Sequence, residues 1–272
     1  MASLSVNVAS VPQRSPFRYP GGKTWLVPQI REWLGLRLSR PELLVEPFAG
    51  GGIVTLTAVA ENLVDQAIMV ELDQQVASVW QTILGSDCEW LMQQIDEFHP
   101  SVDTVSELMS VAPASTRDMA FQTIVKNRTY YGGIIAAGSS PLKRGDNDKG
   151  VASRWYPSTL NKRIGAIYEL RDRITVINGD GLRVTQTLAS SSNTAFFIDP
   201  PYVTSGRRLY THYAVDHALV FSVAAQIQGD FLITYDDADS IRELAAGHGF
   251  NVSEINMRTR QSVSKKELLI TR

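Results

Sequence analysis

A short apolar run, Leu43-Leu44-Val45-Glu46-Pro47-Phe48, stops on Ala49 and three successive glycines, Gly50-Gly51-Gly52. A helical pattern over 53–62 follows, and a second apolar run, AIMVEL, occupies 67–72. Short apolar runs bounded by turn residues predict buried strands. A helix between two of them predicts a β-loop-α-β unit, the start of a doubly wound sheet. No other segment limits the fold as strongly.

The same alternation returns later. Strands are expected at 174–179, 195–200 and 230–235, and helices at 73–84, 181–189, 215–227 and 239–247. A pair at 251–257 and 267–271 flanks a basic loop and predicts an antiparallel hairpin at the sheet edge. Between 85 and 171 the strand signal disappears. Helices are expected there at 87–98, 115–128 and 158–171, around a polar, Gly-rich loop at 132–153. The expected organisation is a catalytic domain made of 15–84 and 172–272, an inserted, mainly helical subdomain at 85–171, and a flexible leader at 1–14.

Composition excludes several classes. With 272 residues and 44% hydrophobic residues the chain can bury a large core. One cysteine, Cys88, rules out an intrachain disulfide and a cysteine metal cluster, and the four histidines show no ligand spacing. No apolar run approaches ~18 residues, and the beginning of the sequence lacks the apolar region of a secretory signal. The expected compartment is the cytoplasm. Net charge is only −2, but it is unevenly spread. Residues 59–120 hold eleven acids and one base, and residues 121–173 hold ten bases and four acids. Such a chain can turn a basic face to a polyanion, although two ordinary solvated faces would give the same count.

Four places carry candidate chemistry. The turn Glu46-Pro47-Phe48-Ala49-Gly50-Gly51-Gly52 lets the backbone approach a nucleotide-like ligand, or is simply tight. Glu71, about twenty residues beyond the glycines, stands where an acid accepts from ribose hydroxyls, with Asp73 as a competitor. Near the start, Tyr19-Pro20-Gly21-Gly22-Lys23-Thr24 ends like a phosphate-binding loop. The first glycine of that motif should be residue 17, which is Phe17, and no strand precedes it, so the triphosphate reading fails. What remains is a Pro-Gly-Gly turn ahead of an amphipathic helix at 24–38.

The fourth place is Asp199-Pro200-Pro201-Tyr202, which closes the apolar strand Ala195-Phe196-Phe197-Ile198. This is the carboxyl edge of the sheet, where open α/β folds bind ligands. Two prolines stiffen the turn and remove two N–H donors. The groups left are carbonyls, one carboxylate and one aromatic face, a set suited to a planar ring bearing an NH₂ group.

Here the sequence resembles a family, the DNA adenine-N6 methyltransferases of the DNA adenine methylase (D12) class. The likeness runs over about 15–272 and rests on Asp199-Pro200-Pro201-Tyr202, the Glu46–Gly52 turn and Tyr19-Pro20-Gly21-Gly22-Lys23 in that family's order. Asn127-Arg128-Thr129 with Tyr131-Gly132-Gly133, Gly206-Arg207-Arg208-Leu209-Tyr210, Tyr235-Asp236-Asp237 and Lys266-Glu267-Leu268-Leu269-Ile270 add to it. The family often has Trp-Ala where this chain has Tyr19-Pro20, and often has Asp where this chain has Glu71.

The resemblance implies an α/β, Rossmann-like S-adenosylmethionine-dependent methyltransferase sheet with helices on both faces and an inserted helical target-recognition subdomain. It implies transfer of a methyl group to N6 of an adenine flipped out of double-stranded DNA, with no metal and no membrane. Asp199, Pro200 and Tyr202 would hold the base. Tyr19, Gly21, Gly22, Lys23, Glu46, Phe48, Gly50, Gly52, Glu71, Asp180 and Asp199 would hold S-adenosylmethionine. Asn127, Arg128, Lys143, Arg144, Arg207, Arg208, Tyr210 and Lys265 would face DNA. A monomer on DNA is expected, in a prokaryotic cell or phage-infected host, with a restriction endonuclease counterpart left open. Two alternatives stand beside it: a methyltransferase acting on RNA or a protein amide, and a silent DNA-binding module.

Overall fold

The computed structural model describes residues 11–18, 22–36, 39–144, 149–202, 214–258 and 264–272, with backbone only at 257–258 and 264–265. Seven strands form one sheet: β1 (Leu43–Glu46), β2 (Gln66–Glu71), β3 (Ile174–Asn178), β4 (Thr194–Ile198), β5 (Asp230–Asp236), β6 (Asn251–Arg258) and β7 (Ser264–Thr271). Their order is β3-β2-β1-β4-β5-β7-β6. The first five are parallel, and β7 runs antiparallel to both β5 and β6, as expected of the hairpin. From β1 the chain winds outward to β2 and β3 on one side and to β4 and β5 on the other. A crevice therefore opens at the carboxyl ends of β1 and β4, where ligands bind in such sheets.

Ten α-helices lie in the described residues: α1 (Val27–Gly35), α2 (Ile53–Ala60), α3 (Gln74–Leu84), α4 (Cys88–Glu97), α5 (Val102–Ser110), α6 (Thr116–Thr129), α7 (Pro157–Tyr168), α8 (Gly181–Leu188), α9 (His217–Ala224) and α10 (Asp239–Gly247). The period-two alternation of the strands divides the core between them. Leu44, Met69, Ala195 and Phe197 point to the face covered by α1, α2 and α3. Val45, Phe196, Ile198, Ile233 and Tyr235 point to the face covered by α8, α9 and α10.

The segment between β2 and β3 is helical, as its missing strand signal predicted, but it has no core of its own. Leu91, Ile95, Ile124, Leu160 and Ile164 belong to the same buried cluster as α1–α3. The boundary at 85 is thus a change of element type and not of packing. Helix α5 was not anticipated. It starts on a capping box in which Ser101 Oγ accepts from the Thr104 N–H and Thr104 Oγ1 from the Ser101 N–H. Thr at the position usually held by Glu or Gln hides that signature in the sequence.

Two boundaries need correction. The helix expected at 24–38 begins as a 3-10 turn, Lys23–Leu26, and turns α-helical only at Val27, with Pro28 in the first turn where its missing N–H is harmless. The leader expected to be flexible as far as 14 is packed from 11 onward. Val11 is buried in the core, and Arg14 pairs with Glu61 at 3.1 Å. Residues 1–10 lie outside the described residues.

Candidate active site

The turn after β1 is held from several sides. Its backbone is pinned by Ala49 N–H donating to the Val70 carbonyl and by Trp80 Nε1 donating to the Gly50 carbonyl. Gly52 adopts φ 61°, and a Cβ there would lie 3.0 Å from both Met69 and Trp80, so the turn needs glycine at that point. Glu71, at the end of β2, accepts the Gly50 N–H at 2.9 Å and the Asp73 N–H at 2.8 Å. Oε2 therefore braces the glycine turn, and Oε1 holds the chain just beyond β2. Asp73 is half-buried and caps α3 by accepting the Gln75 N–H at 2.9 Å.

Glu46 is buried beside this turn and accepts the Thr55 N–H at 3.0 Å. Burial pushes its carboxyl up to about 8, with the neighbouring charges of Asp199 and Glu71 adding to the effect. Burial likewise pushes Glu71 up to about 7, against the N–H bonds it accepts.

Asp199 extends from β4. The parallel register sets Ile198 opposite Ile233, so the next residue on β5, Thr234, stands beside Asp199. Thr234 Oγ1 donates to Asp199 Oδ1 at 2.6 Å, and Lys23 Nζ lies 2.8 Å from Asp199 Oδ2. Lys23 is buried, with its ammonium 4.9 Å from the centre of the Tyr202 ring. The Tyr202 hydroxyl donates to Glu267 Oε2 at 2.9 Å.

Lys23 reaches Asp199 because the start of the chain folds back over the sheet. Phe17 packs edge-on against Trp80 at 5.4 Å. Asn127 accepts the Arg18 N–H at 2.8 Å and donates to the carbonyls of Arg18 and Gly133 at 3.2 and 2.7 Å. Arg128 donates to the Pro16 carbonyl, and Arg163 to that of Ser15 at 3.0 Å.

These segments enclose one cavity of about 870 Å³. Of the residues expected at the methyl donor, Gly22, Lys23, Glu46, Phe48, Gly50, Gly52, Glu71, Asp180 and Asp199 line it together. Tyr19 and Gly21 lie outside the described residues. Pro201 lines the cavity while Pro200 is buried behind it.

The expected DNA-facing set divides. Arg128 lines the cavity, and burial together with the Arg163 and Arg18 guanidiniums holds its pKa below the ordinary arginine value. Lys143 and Arg144 are exposed in the loop between α6 and α7. Asn127 is fully buried and makes three hydrogen bonds to backbone groups of residues 18 and 133, so in this structure it braces the folded-back segment. Arg207, Arg208 and Tyr210 lie outside the described residues, as does the Lys265 side chain. Thr234, Arg18 and Arg163 were not singled out. For Thr234 the available signal was a hydroxyl at the carboxyl end of the strand next to the Asp199 strand. No group of three or more metal-ligating side chains occurs among the described residues, and no helix there is long and apolar enough to cross a membrane.

No curated protein sequence matches the chain. Among solved structures it is similar to the rRNA methyltransferase aviRa from Streptomyces viridochromogenes, at 13% identity and a TM-score of 0.44 over 98% of this chain and 94% of that one. It is also similar to a precorrin-6y C5,15-methyltransferase from Geobacter metallireducens, at 10% identity and a TM-score of 0.38 over 99% and 91% of the two chains. The model of the D12 class N6 adenine-specific DNA methyltransferases matches residues 19–261, nearly the whole chain, and the chain therefore belongs to that family.

Proposed function

We propose that the chain transfers a methyl group from S-adenosylmethionine to N6 of an adenine flipped out of double-stranded DNA. The observation that carries this reading is the Asp199 carboxylate, held at the carboxyl end of β4 by Lys23 and Thr234 on the rim of a cavity floored by the glycine turn. Family membership supports DNA adenine as the acceptor.

The residues present fit the donor. A cavity of about 870 Å³ takes a molecule of nucleoside size, and its wall offers both carboxyl groups and arginines to a ligand that carries a cation and a carboxylate. Bound there, S-adenosylmethionine supplies a methyl group made electrophilic by its sulfonium. The turn around Gly50 would lie against the adenosyl part, with Asp73 or Glu71 at the ribose. Because both oxygens of Glu71 already accept backbone N–H groups, while Asp73 caps α3 through Oδ1 alone, Asp73 is the more available acceptor.

The acceptor side is left to protein groups. The N6 lone pair of adenine is delocalised into the ring. Asp199 and a carbonyl of the Pro200-Pro201 turn would accept the N6 hydrogens and favour a pyramidal, nucleophilic nitrogen. Alignment with the methyl group supplies the rest of the rate. A base inside a duplex cannot reach this depth, so it must be extruded. Tyr202 would stack on it, a contact worth roughly 1–3 kcal/mol. The exposed Lys143 and Arg144 would meet phosphates or base edges. The helical segment 85–171 would thereby carry target recognition.

The test is transfer of labelled methyl from S-adenosylmethionine to DNA, RNA and protein by the purified chain, with Asp199→Ala as control. Label on N6 of adenine in DNA, lost in the variant, is the expected result. Label only on RNA or protein, or none on any acceptor, would sink the reading. Methylation-sensitive sequencing of DNA from expressing cells then gives the target context.

A further inference from the structure

We propose that Thr234 and Glu267 are positioning residues for methyl transfer, Thr234 fixing the rotation of the Asp199 carboxylate and Glu267 fixing the ring of Tyr202. The inference rests on the proposed function. Neither side chain lines the cavity itself; each acts one hydrogen bond behind a group that would meet the base.

Thr234 is fully buried in β5 and donates its only hydroxyl proton to Asp199 Oδ1 at 2.6 Å. Lys23 meets the other oxygen from a different element. A carboxylate met at both oxygens from separate elements has a single orientation, and its remaining lone pairs have fixed directions. That is what acceptance of a hydrogen from a reacting amine requires.

Glu267 is buried in β7, and the antiparallel register sets it beside Asp236 at the end of β5. It accepts the Tyr202 hydroxyl at 2.9 Å. Burial and the charges of Asp199 and Glu267 raise the phenol well above its ordinary pKa, so Tyr202 stays protonated and keeps donating. The same ring is tilted 35° to Tyr235 at 6.1 Å. The ring is thus anchored at its tip and flanked by a second ring. The paired strands β5 and β7 therefore hold two of the groups that would contact the adenine, Asp199 and Tyr202.

The experiment uses full-length Thr234→Val, Thr234→Ser, Glu267→Leu and Glu267→Gln on duplex carrying the sequenced target site. Single-turnover methyl transfer, S-adenosylmethionine affinity and the fluorescence of 2-aminopurine at the target position are measured, with the denaturant midpoint of each variant. Thr234→Val is expected to slow transfer about 10- to 100-fold with donor affinity unchanged, and Thr234→Ser to restore most of it. Glu267→Leu is expected to slow transfer and to alter the 2-aminopurine signal, and Glu267→Gln, which keeps an acceptor, to restore both. Should the Val or Leu variant fail to fold, Thr234→Ala and Glu267→Ala carry the same comparison. Folded variants with wild-type rates, or slow variants not rescued by Ser and Gln, overturn the inference alone. A wild-type protein that transfers no methyl to DNA overturns the proposed function first.

Discussion

Lys23 and Asp199, one on the turn ahead of α1 and the other at the end of β4, form an ion pair of 2.8 Å with side chains only 5% and 19% exposed. Removing one partner leaves the other charge poorly solvated. Lys23→Met is expected to cost roughly 2–4 kcal/mol in denaturant unfolding. The double variant Lys23→Met with Asp199→Leu should recover most of that stability while remaining inactive. A Lys23→Met protein as stable as wild type would contradict this account of the pair.

Glu46 gives stability a pH dependence. Its carboxyl rises from 4.5 to about 8 on folding. Below pH 4.5 both folded and unfolded chains hold the proton, and nothing is lost. Between 4.5 and 8 the unfolded chain sheds it while the folded one keeps it, so stability falls as pH rises. Glu71, pushed to about 7, adds a fall of the same sign. Calorimetry should show Tm decreasing from pH 5 to pH 8.5 and a flatter decrease in Glu46→Gln, the two differing at pH 8.5 by on the order of a few kcal/mol. Parallel curves would rule the assignment out.

Gly133 has φ 76°, and a Cβ there would sit 2.3 Å from the Arg18 carbonyl oxygen. Gly133→Ala combines backbone strain of about 1–3 kcal/mol with a forced displacement of the folded-back segment. A lower Tm and weaker donor binding are expected together, since that segment leads to Lys23. Thermal denaturation and titration calorimetry read the two effects.

Asn127 and Arg144 should separate cleanly in DNA binding. Arg144→Ala is expected to reduce the slope of log K against log salt by about 1, as for a lost phosphate contact. Asn127→Ala should leave that slope unchanged and lower the unfolding free energy by roughly 1–3 kcal/mol, the cost of stranded backbone groups. Equal slopes for Arg144→Ala and wild type would remove that loop from the interface.

The strand-and-helix frame was legible because the five parallel strands each centre on a short, mostly apolar run ended by turn chemistry. Asp199 and the glycine turn could be placed at one sheet edge on that basis alone. The burial of Asn127 was not legible because a polar residue in a basic segment reads as exposed, and only the folded-back segment ending at Arg18 makes it a buried amide. Helix α5 escaped because Thr104 caps as Glu would. Thr234 needed the register of β4 against β5, which spacing along one strand does not contain.

The central pairing of β1 with β4 joins Leu43–Val45 to residues 194–196, with the whole helical insertion between them. Closing so long a loop is entropically slow, whereas α5 and α6 are neighbours in sequence that also touch. The β1–β4 seam is then a late contact, and catalytic competence arrives with it. Pulse-labelled hydrogen exchange should protect the amides of α6 before those of β4.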